Sequence, residues 1–134
     1  MILYTVLFVR FECYYFTDYA QEIQRYFAVG LEQAVDAAES REGTVCVSRN
    51  ANYARVLFYS AQDPDEYRAT VRYTNYPSAF LDAEGFGRYT FYFDPSVPDR
   101  SCVYVLDAYT DLEPFQEAGF TMERYGDYAA VYYE

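Results

Sequence analysis

The chemistry open to this chain is bounded by what it lacks. There is no His and no Lys, so all 10 basic residues are Arg. Without His there is no Ser-His-Asp or Cys-His arrangement, and the commonest metal ligand is missing. Without Lys there is no Schiff-base lysine and no phosphate-loop lysine. Carboxylates, phenols, guanidiniums and three thiols remain. Their densest gathering is "AFLDAEGFGRYTFYF", Ala79 to Phe93. Asp82 and Glu84 are its candidate acid and base, the pair a glycoside hydrolase would use. The chain carries 21 acidic residues, so one close pair is a weak signal. An acid or base also needs a tuned pKa. Arg88 either pairs with Asp82 or Glu84 or meets a ligand, and the pairing is the simpler reading. Gly85 and Gly87 read as a tight turn into the strand "GRYTFYF". A nucleotide loop would need a third glycine and a following helix.

Cys13, Cys46 and Cys102 are far apart and form no C-x-x-C. That excludes a zinc knuckle and a thioredoxin-type motif. Cys46 in "TVCVS" and Cys102 in "SCVYVL" sit in strand-like runs and read as buried free thiols. A bridge between them requires their strands to be neighbours. No metal, cofactor or catalytic residue is expected from these patterns.

The elements that must position these groups follow from periodicity. In "FTDYAQEIQRYFAVGLEQAVDAAESREG", Tyr19, Ile23, Tyr26, Phe27, Leu31, Ala34, Val35 and Ala38 recur at helical spacing. Asp18 is placed as the N-cap, Gly43 as the stop, and Gly30 as a point where the helix splits. "TVCVS" is an apolar strand. A helix follows in "NANYARVLFYSAQ", capped by Asn50 or Asn52, with Tyr53, Val56 and Leu57 facing inward. "DPDEY" opens another, with Asp63 as N-cap and Pro64 in its first turn. "TVRYTNY" reads as a strand ending at Pro77, and "DPSVPD" as a loop. "CVYVL" is apolar throughout, as in a strand buried on both faces. "DLEPFQEAG" is a short helix, capped by Asp111 and ended by Gly119. "FTMERYGDYAAVYYE" is a hairpin turning at "YGDY". This alternation predicts an α/β fold: a single small mixed sheet flanked by helices, with a C-terminal antiparallel hairpin. "CVYVL", the short helix and "FTMERY" read as a βαβ unit.

In such sheets ligands gather beyond the carboxyl ends of parallel strands. Two ends can be named. Ser48, Arg49 and Asn50 follow the "TVCVS" strand, with Tyr53 opening the next helix. Asp107 and Tyr109 follow "CVYVL". With Arg88 these are the candidate ligand-binding residues, for a small polar or carbohydrate ligand. The plainer account is ordinary helix capping and loop solvation.

The net charge of −11 leaves no basic stripe for phosphates, so nucleic acid is excluded as a partner. The same charge opposes direct binding to anionic membrane surfaces. Acidity keeps a chain with 18 Tyr and 11 Phe in solution. Residues 1–16 form an apolar segment, and residues 17–134 read as one α/β domain. "MILYTVLFV" is broken by Arg10 and Glu12. It is shorter than the roughly 20 apolar residues a spanning helix needs, and it has no basic n-region. It fits either a core strand or the exit of a membrane helix.

One resemblance covers nearly the whole chain, Tyr14 to Tyr132. The ordered segments "YYFTDY", "GLEQAVDAA", "TVCVS", "VLFY", "NYPSAFLDAEGFGRYTFYFD", "VYVL" and "FTMERYGDYAAVY" carry it, "FLDAEGFGRY" most specifically. The chain resembles the soluble C-terminal domain of bacterial membrane glycosyltransferases of the dolichyl-phosphate-mannose protein mannosyltransferase type (glycosyltransferase family 39). Such enzymes take sugar from a polyprenyl-phosphate donor outside the cytoplasm. Their catalytic acid lies in an early extracytoplasmic loop, so no catalytic residue carries over to this chain. The resemblance implies a non-catalytic accessory domain on the extracytoplasmic face, partnered by the membrane part of the enzyme. Residues 1–16 would then lead out of a membrane helix. Without that resemblance the expectation is a free-standing binding module in the cytoplasm.

Overall fold

The computed structural model describes residues 2–24 and 28–134. The chain is α/β, built on one seven-stranded mixed sheet in the order β2-β3-β4-β1-β5-β7-β6. The strands are β1 (Thr44–Val47), β2 (Arg72–Tyr73), β3 (Ala83–Phe86), β4 (Tyr89–Thr90), β5 (Cys102–Asp107), β6 (Thr121–Tyr125) and β7 (Tyr128–Tyr132). The helices are α1 (Ile2–Phe16), α2 (Asp18–Gln24), α3 (Leu31–Glu39), α4 (Tyr53–Tyr59), α5 (Pro64–Thr70) and α6 (Glu113–Glu117).

β1 is the middle strand of the sheet and runs parallel to both its neighbours, β4 and β5. β5 shows why it is buried on both faces. Val103 and Val105 point into a core shared with Leu31, Ala34, Val35 and Ala38 of α3 and Val56 of α4. Tyr104 and Leu106, one residue out of phase, point into a second core with Phe115 of α6 and Phe120. Phe115 has no exposed surface and sits edge-on to Tyr104 at 4.8 Å. The sheet is thus the middle layer of three.

Local signals hold at several helix ends. Asn52 caps α4 by accepting from the Ala54 N–H at 2.9 Å. Asp63 caps α5, accepting from the N–H groups of Asp65 and Glu66, with Pro64 in the first turn. Asp111 accepts from the Glu113 N–H at 3.0 Å, but from one residue ahead of the cap position, since the N-cap of α6 is Leu112 and not Asp111. The split at Gly30 is real: it is the left-handed N-cap of α3, at φ +92°. α3 closes at Glu39 with Ser40 as its C-cap, before Gly43 is reached. Tyr19, read with the core face, is instead exposed and stacks on Tyr15 at 5.5 Å. The side chains of Ile23, Tyr26 and Phe27, which share that expectation, lie outside the described part of the structure.

Two expectations about strands are corrected, and a third is refined. The N-terminal segment is not a core strand: α1 is a helix with no buried residue. Gly85 is not part of a turn. It lies inside β3 opposite Thr90, where an added Cβ would meet the Tyr89 carbonyl oxygen at 2.4 Å. Only Gly87, at φ +48°, makes the turn to β4. β5, α6 and β6 do form a βαβ unit with parallel strands, but the two strands are not neighbours, because β7 lies between them and is antiparallel to both. All of β7 is buried, whereas β6 carries the partly exposed Glu123 and exposed Arg124. The more apolar strand takes the inner slot and the charged one becomes the edge.

Candidate functional site

The two strand ends named from sequence are joined in the fold. β1 and β5 are neighbours in parallel register, with Val47 opposite Val105. Ser48, only 7% exposed, donates its N–H to the Val105 carbonyl at 2.9 Å. Its hydroxyl oxygen accepts the Asp107 N–H at 3.1 Å. Asp107, 6% exposed, is the hub of the cluster. Its Oδ2 accepts from the Asn50 side-chain amide at 2.6 Å. Its Oδ1 accepts from the Tyr109 N–H at 3.1 Å and the Thr110 hydroxyl at 2.8 Å. A buried carboxylate is tolerated here because these donors replace its hydration.

Above this cluster a cavity of about 380 Å³ is lined by Asn50, Arg55, Asp107, Tyr109, Asp127 and Tyr128. The Tyr109 side chain is almost wholly in solvent, at 87% exposure. Tyr128 opens β7 opposite Asp107, so its ring forms part of the wall. Burial raises the Tyr128 phenol above its ordinary pKa, Arg55 opposes this, and Asp107 and Asp127 add to it. Near neutral pH it is therefore a hydroxyl, able to donate to a polar ligand. Sequence reading missed Arg55, Asp127 and Tyr128. Tyr128 and Asp127 belong to the "YGDY" turn, which was legible as a hairpin. Nothing local says that β7 pairs with β5.

Arg49 and Tyr53 face a neighbouring cavity of about 250 Å³, shared with Asn52, Asp82 and Phe91. Arg49 Nη2 donates to Asp82 Oδ2 at 3.2 Å and to the Tyr92 oxygen at 2.8 Å. Its guanidinium lies 4.4 Å from the Tyr92 ring centre. The Tyr92 hydroxyl donates to the same Asp82 oxygen at 3.0 Å. Asp82 thus works as an anchor in an Arg–Tyr–carboxylate triad, while Glu84 is exposed on β3.

Arg88 is the outlier. It sits in the β3–β4 turn at the far end of the strands. Its Nη2 donates to the Arg41 carbonyl at 2.5 Å, and its own carbonyl accepts from the Val45 N–H at 2.9 Å. The expected pairing with Asp82 or Glu84 does not occur, and Arg88 is no part of the strand-end site. Asp82 precedes β3 and Arg88 follows it, so the four-residue strand puts about 13 Å between them.

The arrangement can present hydroxyl, amide and aromatic surfaces to a ligand. Among the described residues no cluster of His, Cys, Asp or Glu could hold a metal ion. Comparison with protein-family models, curated proteins and solved structures returns no match to this chain.

Proposed function

We propose that the chain is a non-catalytic accessory domain of a membrane glycosyltransferase that uses a polyprenyl-phosphate sugar, placed on the extracytoplasmic face. The observation that carries this reading is α1, an apolar helix with no buried residue attached to a folded α/β body. Such a helix needs an apolar surround, and among the described residues nothing buries it. The resemblance of "FLDAEGFGRY" and its flanking segments supports the enzyme class. Among the described residues no helix is long and apolar enough to cross a membrane. In this reading the polytopic membrane part lies outside the described residues, and α1 is the segment that attaches the body to the membrane. The test is the genomic neighbourhood: the frame encoding this chain, or an adjacent one, should encode a polytopic glycosyltransferase. A frame with neither would overturn the reading.

A second reading, a binding module for a small polar or carbohydrate ligand, is favoured by the Asn50–Tyr109–Tyr128 cavity. Aromatic faces and convergent amide and hydroxyl groups suit a sugar. Titrating the ¹⁵N-labelled chain with a panel of monosaccharides should shift the amides of Ser48, Asn50 and Asp107. Unmoved resonances would count against this reading and leave the first intact.

A further inference from the structure

The exposed side chains of α1 surround the helix. At 100° per residue, Ile2, Val9 and Phe16 fall on one side, Leu3, Leu7 and Tyr14 on a second, and Phe8, Phe11 and Tyr15 on a third. Each is between 47% and 84% exposed. A second copy or a single partner helix would cover one stripe of about 100° and leave the rest in water. A bilayer covers every side. The order along α1 agrees. The first half, Ile2 to Val9, is uncharged and mostly aliphatic with Tyr4 and Phe8 among it, Arg10 and Glu12 are the only charges of α1, and Tyr14 and Tyr15 follow, with Tyr19 next on α2. That is the order from hydrocarbon to headgroup, with aromatics at the interface. Arg10 and Glu12 cancel, so the whole net charge of −11 lies outside α1. A body that acidic fits a zwitterionic surface and is repelled by an anionic one.

The fold also dictates which side of the body meets that surface. Val29 and Gly30 are pressed against the β6–β7 turn. The Asp127 N–H donates to the Val29 carbonyl at 3.3 Å, and a Cβ on Gly30 would lie 1.7 Å from the Tyr125 carbonyl oxygen. The chain therefore enters the body at the carboxyl ends of β1, β5 and β6. Gln24 is four residues before Ala28, so α2 ends within about 14 Å of that edge. The same edge displays Tyr76 at 75%, Phe80 at 89% and Tyr109 at 87% exposure. Phe80 is held outward by its loop. The Asn75 amide donates to the Phe80 carbonyl at 2.7 Å, and the Asp82 N–H donates to Asn75 Oδ1 at 2.8 Å.

We infer that this edge is a bilayer-facing surface. α1 enters a zwitterionic membrane, Tyr76, Phe80 and Tyr109 seat in its headgroup layer, and the Asn50–Asp107 cavity opens onto the interface. The inference rests on the membrane attachment proposed above and adds an orientation to it.

The chain has no Trp, so one introduced Trp is a unique reporter. The full chain carrying Leu7→Trp, Phe80→Trp, Tyr109→Trp or Tyr133→Trp would be incorporated into phosphatidylcholine nanodiscs, with and without brominated acyl chains. Tyr133 is exposed at the opposite end of β7, about 17 Å from the proposed surface. Expected is a blue shift and strong bromine quenching at position 7, with weaker but clear quenching at positions 80 and 109 and none at 133. Quenching at position 7 with positions 80 and 109 no different from 133 would overturn the orientation and leave the attachment standing. An unquenched reporter at position 7 would overturn the attachment, and the orientation with it.

Discussion

Ser48 and Asp107 tie the carboxyl ends of the two central parallel strands together, the Asp107 N–H donating to the Ser48 hydroxyl oxygen at 3.1 Å. The bond turns two separate loops into one site. It leaves the Asp107 carboxylate free to gather Asn50, Tyr109 and Thr110. Ser48 and Asp107 are buried because they build the site, while Tyr109 is exposed because it faces outward.

Replacing Asp107 should therefore cost stability and disorganise the loop together. Asp107→Ala leaves three donors without their acceptor, an effect of about 2–4 kcal/mol. Asp107→Asn keeps one acceptor oxygen and should cost less. Urea denaturation of both variants checks the order; equal stabilities would show that the carboxylate does not organise the loop.

Acid should act through Glu123. Hydrogen bonds from Tyr132 and Tyr125 hold its carboxyl below the ordinary 4.5, and burial opposes them. Arg41 joins the same group at 3.1 Å. A carboxyl lowered in the folded state adds stability above its unfolded pKa. That stability is lost as pH falls through the folded value. Glu123→Gln should thus be less stable than the parent at pH 7, and the gap should close as pH drops below about 4.5. Thermal melts across pH 3–7 measure the gap, and one that stayed constant would contradict this account.

The thiols should differ in reactivity. Cys13 is exposed on α1, whereas Cys46 is buried. Burial, and then the neighbouring Cys102, raise the Cys46 thiol well above its ordinary value. Since the thiolate is the nucleophile, Cys46 should alkylate at least about tenfold more slowly than Cys13 in the folded chain. Mass spectrometry of peptides after a timed iodoacetamide pulse reads the ratio. Equal labelling would mean that β1 opens readily.

Much of the frame was legible because its signals are local. Asp63 before Pro64, Asn52 before Tyr53, and the apolar run of "CVYVL" each act within a few residues. The strand β3 escaped notice because Ala83 and Gly85 lack the bulky β-formers that mark a strand. There, space for the backbone of β4 replaces side-chain packing as the reason for the residue types. Ser48, Asn50, Asp107 and Tyr109 follow the ends of β1 and β5 in sequence, and the structure brings them together. Arg49 and Tyr53 went to the adjoining cavity, and Arg88 to the opposite end of the sheet.

The sequence by itself determined the α/β class, the chemical inventory, and the apolar character of residues 2–9. These depend on composition and on periods of two and 3.6 residues. Which strands touch was decided only in the tertiary structure. Loop closure costs little more for a long loop than for a short one, so local sequence cannot select a partner. Selection came from burial: β7, apolar on both faces, took the slot beside β5, and charged β6 was left at the edge. That choice carried Tyr128 to Asp107 and set the β6–β7 turn against Gly30, where the chain from the N-terminal helices enters the body.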